Sequence, residues 1–131
     1  MIRVHVLLVD DEEDVLFIFE HIFEDWVKAN KMLLSFSTSG AHALEILESE
    51  DGQDIILILT DINMPGIDGF ELLKEVNHRF PNIDTIMISG YSSNAYRNKA
   101  KELGALDYFE KPVDFDKLIN LMSERYPELR T

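Results

Sequence analysis

Apolar runs of strand character alternate with apolar residues at helical spacing five times along this chain. Val4–Val9 is a short run rich in β-branched residues, closed by the acids Asp10-Asp11-Glu12-Glu13-Asp14. Val15, Ile18, Phe19, Ile22, Phe23 and Trp26 then recur at i, i+3, i+4, i+7, i+8 and i+11, which predicts one amphipathic helix. The acids ahead of that stripe favour a helix N-terminus through capping and the macrodipole. Leu33–Phe36 reads as a second strand, and Ser39-Gly40 opens a helix carrying Ala43, Leu44 and Leu47 that ends near Asp51-Gly52. Ile55–Leu59 is aliphatic at every position and so fits a central strand covered on both faces. Asn63–Gly69 is loop chemistry. Phe70, Leu73, Val76 and Phe80 restore the helical period, which Pro81 stops. Thr85–Ile88 is a fourth strand ending at Ser89-Gly90, and Ser93–Leu103 is a polar, weakly amphipathic helix ended by Gly104. Leu106–Phe109 is a fifth strand before Lys111-Pro112, and Phe115, Leu118, Ile119 and Met122 mark a last helix that closes before Pro127.

Five strands alternating with five helices call for an α/β fold, a parallel sheet with helices on both faces. The chain has no internal repeat, low-complexity tract or internal linker, so residues 1–131 are expected to form a single domain. Pro127–Thr131 is expected as a tail or the start of a linker.

Composition narrows the chemistry. The 131 residues are 46% hydrophobic, enough to bury a core, and 25 acidic residues against 12 basic ones give a net charge of −13. Phosphate backbones and anionic membrane surfaces need clustered Lys and Arg, so this domain is expected to bind neither nucleic acid nor membrane. The absence of cysteine excludes disulfides, Cys-based zinc sites and thiol chemistry. No apolar run approaches the ~20 residues of a membrane span. Met1–Val9 ends in acids and lacks the cleavage signal of a secretory leader. A cytoplasmic location is the expectation.

In open α/β sheets, ligands sit outside the carboxyl ends of the strands. The residues there are Asp10 and Asp11 after the first strand, Asp61 after the third, Ser89 after the fourth and Lys111 after the fifth. Three carboxylates close together repel, by roughly 1 kcal/mol per pair at 4 Å in water and about 4 at an effective dielectric of 20. Protonation, pairing with Lys111, or a divalent cation would relieve this. An all-oxygen site with open positions suits Mg²⁺. Ser89 and Lys111 could then donate to phosphoryl oxygens, and an Asp can itself be the nucleophile that forms an aspartyl phosphate.

Over essentially its whole length the chain resembles the receiver domain of two-component response regulators. The motifs are Val9-Asp10-Asp11-Glu12, Leu59-Thr60-Asp61-Ile62-Asn63-Met64-Pro65-Gly66-Ile67-Asp68-Gly69, Ile88-Ser89-Gly90-Tyr91, Gly104-Ala105 and Lys111-Pro112, in matching order and spacing. The resemblance implies a flavodoxin-like (βα)5 three-layer sandwich, its five parallel strands in the order 2-1-3-4-5. It implies that Asp61 takes a phosphoryl group from a histidine kinase or a phosphotransfer protein. It assigns the metal to Asp10, Asp11, Asp61 and the backbone carbonyl of Asn63, with Mg²⁺ as cofactor and Mn²⁺ as a substitute. Ser89 matches the switch hydroxyl, Lys111 the bridging cation and Tyr108 the aromatic that turns inward when the hydroxyl moves. Lys111-Pro112 is often cis in the family; the sequence leaves the isomer open.

Plainer roles compete for several of these residues. Asp10 and Asp11 could simply cap a helix, Ser89-Gly90 could be an ordinary turn, and Tyr108 a half-buried strand aromatic. Arg97, Lys99 and Lys101 read either as a solvated face or as a docking edge. His5, His21, His42 and His78 fall on separate elements with no metal-ligand spacing. The function expected is a phosphoacceptor switch rather than an enzyme, with self-catalysed phosphotransfer and slow autodephosphorylation; a phosphorylation-dependent dimer is left open by the sequence. Two rivals are a phosphatase with Asp61 as nucleophile and a degenerate receiver acting only as a binding module. The phosphatase reading meets an obstacle in Asn63, which stands where haloacid-dehalogenase-like enzymes usually carry a second Asp.

Overall fold

All six residues of Val4–Val9 are buried, although a strand points successive side chains to opposite faces. Both faces of the sheet are therefore covered, as the continuous apolar runs require. The computed structural model describes residues 3–91 and 93–130. Met1, Ile2, Ser92 and Thr131, the last of these the end of the expected tail, lie outside the described residues.

In chain order the elements are β1 (Val4–Val9), α1 (Glu13–Ile22), α2 (Glu24–Lys28), β2 (Met32–Ser37), α3 (Gly40–Glu48), β3 (Ile55–Asp61), α4 (Gly69–Arg79), β4 (Asp84–Ser89), α5 (Asn94–Glu102), β5 (Asp107–Glu110) and α6 (Phe115–Arg125). The five strands are parallel and ordered β2-β1-β3-β4-β5. Even-numbered residues of β1 join α1 and α6 in one core layer; odd-numbered ones join α3 and α4 in the other. The flavodoxin-like sandwich expected from the sequence is the observed fold.

One helix reading needs correction. The stripe from Val15 to Trp26 is two helices, because Phe23 leaves helical geometry at φ −93° and ψ 4°. Phe23 is fully buried and Trp26 stacks on it at 5.9 Å, so the chain turns to keep both rings against the sheet. Leu16 takes the buried place on α1, and Ile18 is 51% exposed. At the other end, Pro127–Leu129 forms a 3-10 turn whose Leu129 is buried in the core.

Four helices start on a side-chain cap: Ser39, Asp68, Ser93 and Asp114 each accept from a backbone N–H three residues on. Helix α1 does not. Its N-cap is Glu12, without a side-chain bond, so the capping reading of Asp10 and Asp11 fails. His5, which the sequence left without a role, is buried between Asp54 Oδ1 at 2.6 Å and Ser35 Oγ at 2.7 Å. Both ring nitrogens are satisfied, and the histidine ties β1 to β2 and to the entry of β3.

Candidate functional site

The carboxyl ends of β1 and β3 deliver three acids to one place. Asp10, Asp11 and Asp61 offer oxygens that all lie within 4.8 Å of one another. Asp10 and Asp61 are buried; Asp11 is exposed and leaves the cluster open to solvent. Asp10 Oδ1 accepts from the Glu12 N–H at 2.9 Å, and Asp61 Oδ1 from the Ile62 N–H at 2.8 Å. Each buried carboxylate thus keeps its other oxygen, Oδ2, directed at Lys111, whose Nζ lies 3.2 Å from Asp10 and 3.8 Å from Asp61.

The protonation balance follows from these contacts. Burial pushes Asp61 up from 3.8 to about 6, the Asp10 charge adds to the rise, and Lys111 opposes it. Burial also raises Asp10, against the Glu12 N–H and Lys111. Burial pulls the Lys111 ammonium down, but Asp61 and Asp10 together outweigh it and leave it above its ordinary value. One ammonium does not compensate two buried carboxylates and a third exposed one. Among the described residues this is the group whose donors suit a metal: all oxygen, clustered and open on one side.

The loop after Asp61 is held by a close backbone approach. Gly69 N–H donates to Ile62 O at 2.8 Å, and a Cβ on Gly69 would stand 2.4 Å from Asp61 O. Gly66 turns the same loop with φ +75°, which favours glycine. Asn63 lies exposed in this loop, two residues after Asp61.

The other candidates stand around the cluster. Ser89 is fully buried at the end of β4; its Oγ accepts from Tyr91 N–H at 3.1 Å, and its carbonyl accepts from Lys111 N–H at 2.8 Å. It makes no bond to Asp61. A Cβ at Gly90 would meet nothing within 4 Å, so the rim there is open. Tyr108 is 6% exposed, with its hydroxyl donating to Tyr91 O at 2.7 Å, so its ring is already turned inward. Arg97 stacks over that ring at 4.8 Å and pairs with Glu110 at 2.6 Å, while Lys99 sits over Phe70 at 4.5 Å. Two of the three basic residues on α5 therefore have partners within the fold. The Lys111-Pro112 bond is cis.

Tyr96 was not singled out by the sequence. Its hydroxyl donates to Asn63 Oδ1 at 3.3 Å, and its ring packs on Tyr91 at 5.4 Å and edge-on to Phe70 at 5.3 Å. The partners lie 33 residues apart, and no local pattern connects them.

The family model described as response regulator receiver domain matches residues 6–123. The chain belongs to the response regulator receiver family. Sporulation initiation phosphotransferase F of Bacillus subtilis is 30% identical over 127 residues, covering 97% of each chain. Transcriptional regulatory protein ZraR of Klebsiella oxytoca is 34% identical over 98% of this receiver but only 27% of that protein. This receiver spans about a quarter to a third of several such curated regulators. Among solved structures, a CheY-like receiver domain protein from Methanospirillum hungatei is 26% identical with a TM-score of 0.82, over 98% of both chains. The signal receiver domain of an HD domain-containing protein from Pseudomonas fluorescens reaches a TM-score of 0.85 at 23% identity over 98% of both, which shows the shared fold. No helix of the described residues is long and apolar enough to cross a membrane.

Proposed function

We propose that this receiver, residues 1–131 as one domain, is a phosphoacceptor switch in which Asp61 accepts a phosphoryl group from the phosphohistidine of a histidine kinase or phosphotransfer protein. The observation that carries the reading is the cluster of Asp10, Asp11 and Asp61 beside Lys111, with Asp61 Oδ2 directed at the ammonium. The carboxylate oxygen of Asp61 attacks phosphorus, a P–O bond forms, the P–N bond of the donor imidazole breaks, and the imidazole takes up a proton. Lys111 faces the negative charge that develops on the phosphoryl oxygens, in a site partly shielded from water. Asp10, Asp11, Asp61 and the Asn63 carbonyl would hold Mg²⁺, or Mn²⁺ in its place. Such an ion supplies positive charge that offsets the acids and the incoming phosphoryl oxygens.

Ser89 is one bond away from the switched arrangement. Its hydroxyl would leave the Tyr91 N–H and donate to a phosphoryl oxygen, which frees the Ser89–Tyr91 turn to move. Tyr108 holds that turn through Tyr91 O, so the displacement passes to β5 and to Arg97 on α5. Phosphorylation shifts the balance of states by its differential stabilisation of the switched one. The switched face then changes its affinity for an output domain or effector, or for a second copy of the chain.

The rival readings lack a supporting observation. Asn63 has its side chain held by Tyr96 and offers no second acid for phosphatase chemistry. The full set of acids, hydroxyl and lysine is the opposite of a degenerate site. Incubation with Mg²⁺ and acetyl phosphate, followed by intact mass, tests the proposal: one phosphoryl group is gained by the wild type and none by Asp61→Asn. Equal labelling of both would refute it.

A further inference from the structure

The two edges of the sheet are guarded very differently. Strand β5 is four residues long, with Asp107 and Glu110 at its ends and Arg97 laid across Tyr108. Strand β2 is six residues, Met-Leu-Leu-Ser-Phe-Ser, with no charge, proline or glycine to discourage pairing. Proteins normally blunt such edges. Val4 N–H donates to Lys31 O and Asp10 N–H to Ser37 O, so the odd-numbered residues of β2 carry its ladder to β1. The backbone groups of Leu34 and Phe36, both half-buried, therefore face away from β1 at the open edge, whereas Met32 is fully buried.

A groove runs along this edge, formed by two adjoining hollows of about 300 Å³ and 440 Å³ that share Glu20 and Phe36. Phe17, 62% exposed, lines one, and Val27, 39% exposed, lines the other, so apolar side chains of α1 and α2 overhang the open strand. Glu13, Glu20 and Glu24 stand in the same walls, Glu24 already paired with Lys28. The groove is thus a hydrogen-bonding edge with an apolar lining and a net acidic rim.

We infer that the β2 edge is a docking site for an extended segment of another protein, added as a sixth strand, one face of which carries apolar side chains flanked by Lys or Arg at every second position. Its backbone pairs with the outward groups of Leu34 and Phe36, as in recognition by strand addition. Every second side chain of the added strand points at α1 and α2. Apolar ones cover Leu34, Phe36, Phe17 and Val27, and long basic ones reach Glu13 and Glu20. Charge selects this occupant over a second copy, since each copy would bring another −13 to an acidic rim. The groove uses none of the acids, hydroxyl or lysine of the Asp61 site, so the inference stands apart from the phosphorylation reading.

The probe is the peptide acetyl-Lys-Thr-Val-Thr-Val-Thr-Lys-amide, titrated into the ¹⁵N-labelled wild-type chain and followed by NMR. The expected result is saturable binding with a dissociation constant below about 1 mM. Shift changes centre on residues 33–37, Phe17 and Val27, and the Leu34 and Phe36 amides gain exchange protection. N-methylating one set of alternate peptide residues abolishes binding, while N-methylating the other set leaves it. Glu20→Lys and Phe17→Glu each weaken it about tenfold. Shifts spread over the acidic surface and unaffected by either N-methylated peptide would overturn the proposal, leaving bulk charge attraction. So would concentration-dependent shifts at β2 without peptide, with a dimer by sedimentation, since the occupant would then be a second copy.

Discussion

At the scale of single residues, the site is governed by acids that burial makes reluctant to ionise. Asp61 in the fold has its pKa raised from 3.8 to about 6, so between these values the folded protein holds a proton that the unfolded chain releases. Stability of the cation-free protein therefore falls as pH rises through that window, by roughly 3 kcal/mol in all. Asp61→Asn has no such proton to lose. Urea denaturation without divalent cation is expected to show a flatter pH dependence for the variant and, near neutral pH, a stability about 1–3 kcal/mol above wild type. A variant as pH-sensitive as the wild type would contradict the assigned burial cost. A second residue-scale prediction concerns Thr85, whose buried hydroxyl has no hydrogen-bond partner among the described residues. Thr85→Val replaces it with a group of the same shape and should raise stability by about 1 kcal/mol, read from the denaturation midpoint.

At the scale of elements, the loop between β3 and α4 depends on two glycines for different reasons. Gly69 lies against the backbone of Asp61, so Gly69→Ala forces the Asp61 end of β3 to move. A loss of about 2 kcal/mol, together with slower labelling by acetyl phosphate, is expected. Gly66 faces open space, and Gly66→Ala should cost about 1 kcal/mol through its positive φ while leaving the labelling rate intact. Equal labelling defects in both would show that the loop acts as one unit. The pattern of the chain made most elements legible: the all-aliphatic Ile55–Leu59 gave a central strand, and Pro81 ended α4 as the loss of its N–H donor requires. The break at Phe23 was not legible, because the apolar period continues through it and only tertiary packing of Phe23 and Trp26 turns the chain. The acids at the strand ends were legible as candidates because the alternation places those ends together. The Tyr96–Asn63 bond and the His5–Asp54–Ser35 bridge were not, since each joins residues from separate elements with no local signature. The strand order came from family resemblance; alternation alone specifies a parallel sheet but not which strand lies where.

At the scale of the whole molecule, the net charge of −13 takes on two separate meanings. Most of the acid is surface charge, but three residues meet at one point, where a cation should add to global stability. Saturating Mg²⁺ at about a hundred times its dissociation constant is expected to raise stability by about 2.7 kcal/mol, and chelation should reverse the gain. Asp11→Asn should lose most of it, since Asp11 is the open member of the cluster. An equal gain in wild type and variant would indicate nonspecific screening. The same sheet that brings these acids together leaves β2 as its open edge, so the acidic cluster and the bare edge are products of one topology.

The claim that Asp61 accepts the phosphoryl group is tested most directly by locating the modification. The protein is labelled with acetyl phosphate and Mg²⁺, reduced with borohydride, which converts an aspartyl phosphate to homoserine, and digested for peptide mass spectrometry. Conversion at Asp61 alone, absent when Mg²⁺ is chelated, is the predicted result. Conversion at Asp10 or Asp11, or none at any aspartate, would contradict the account.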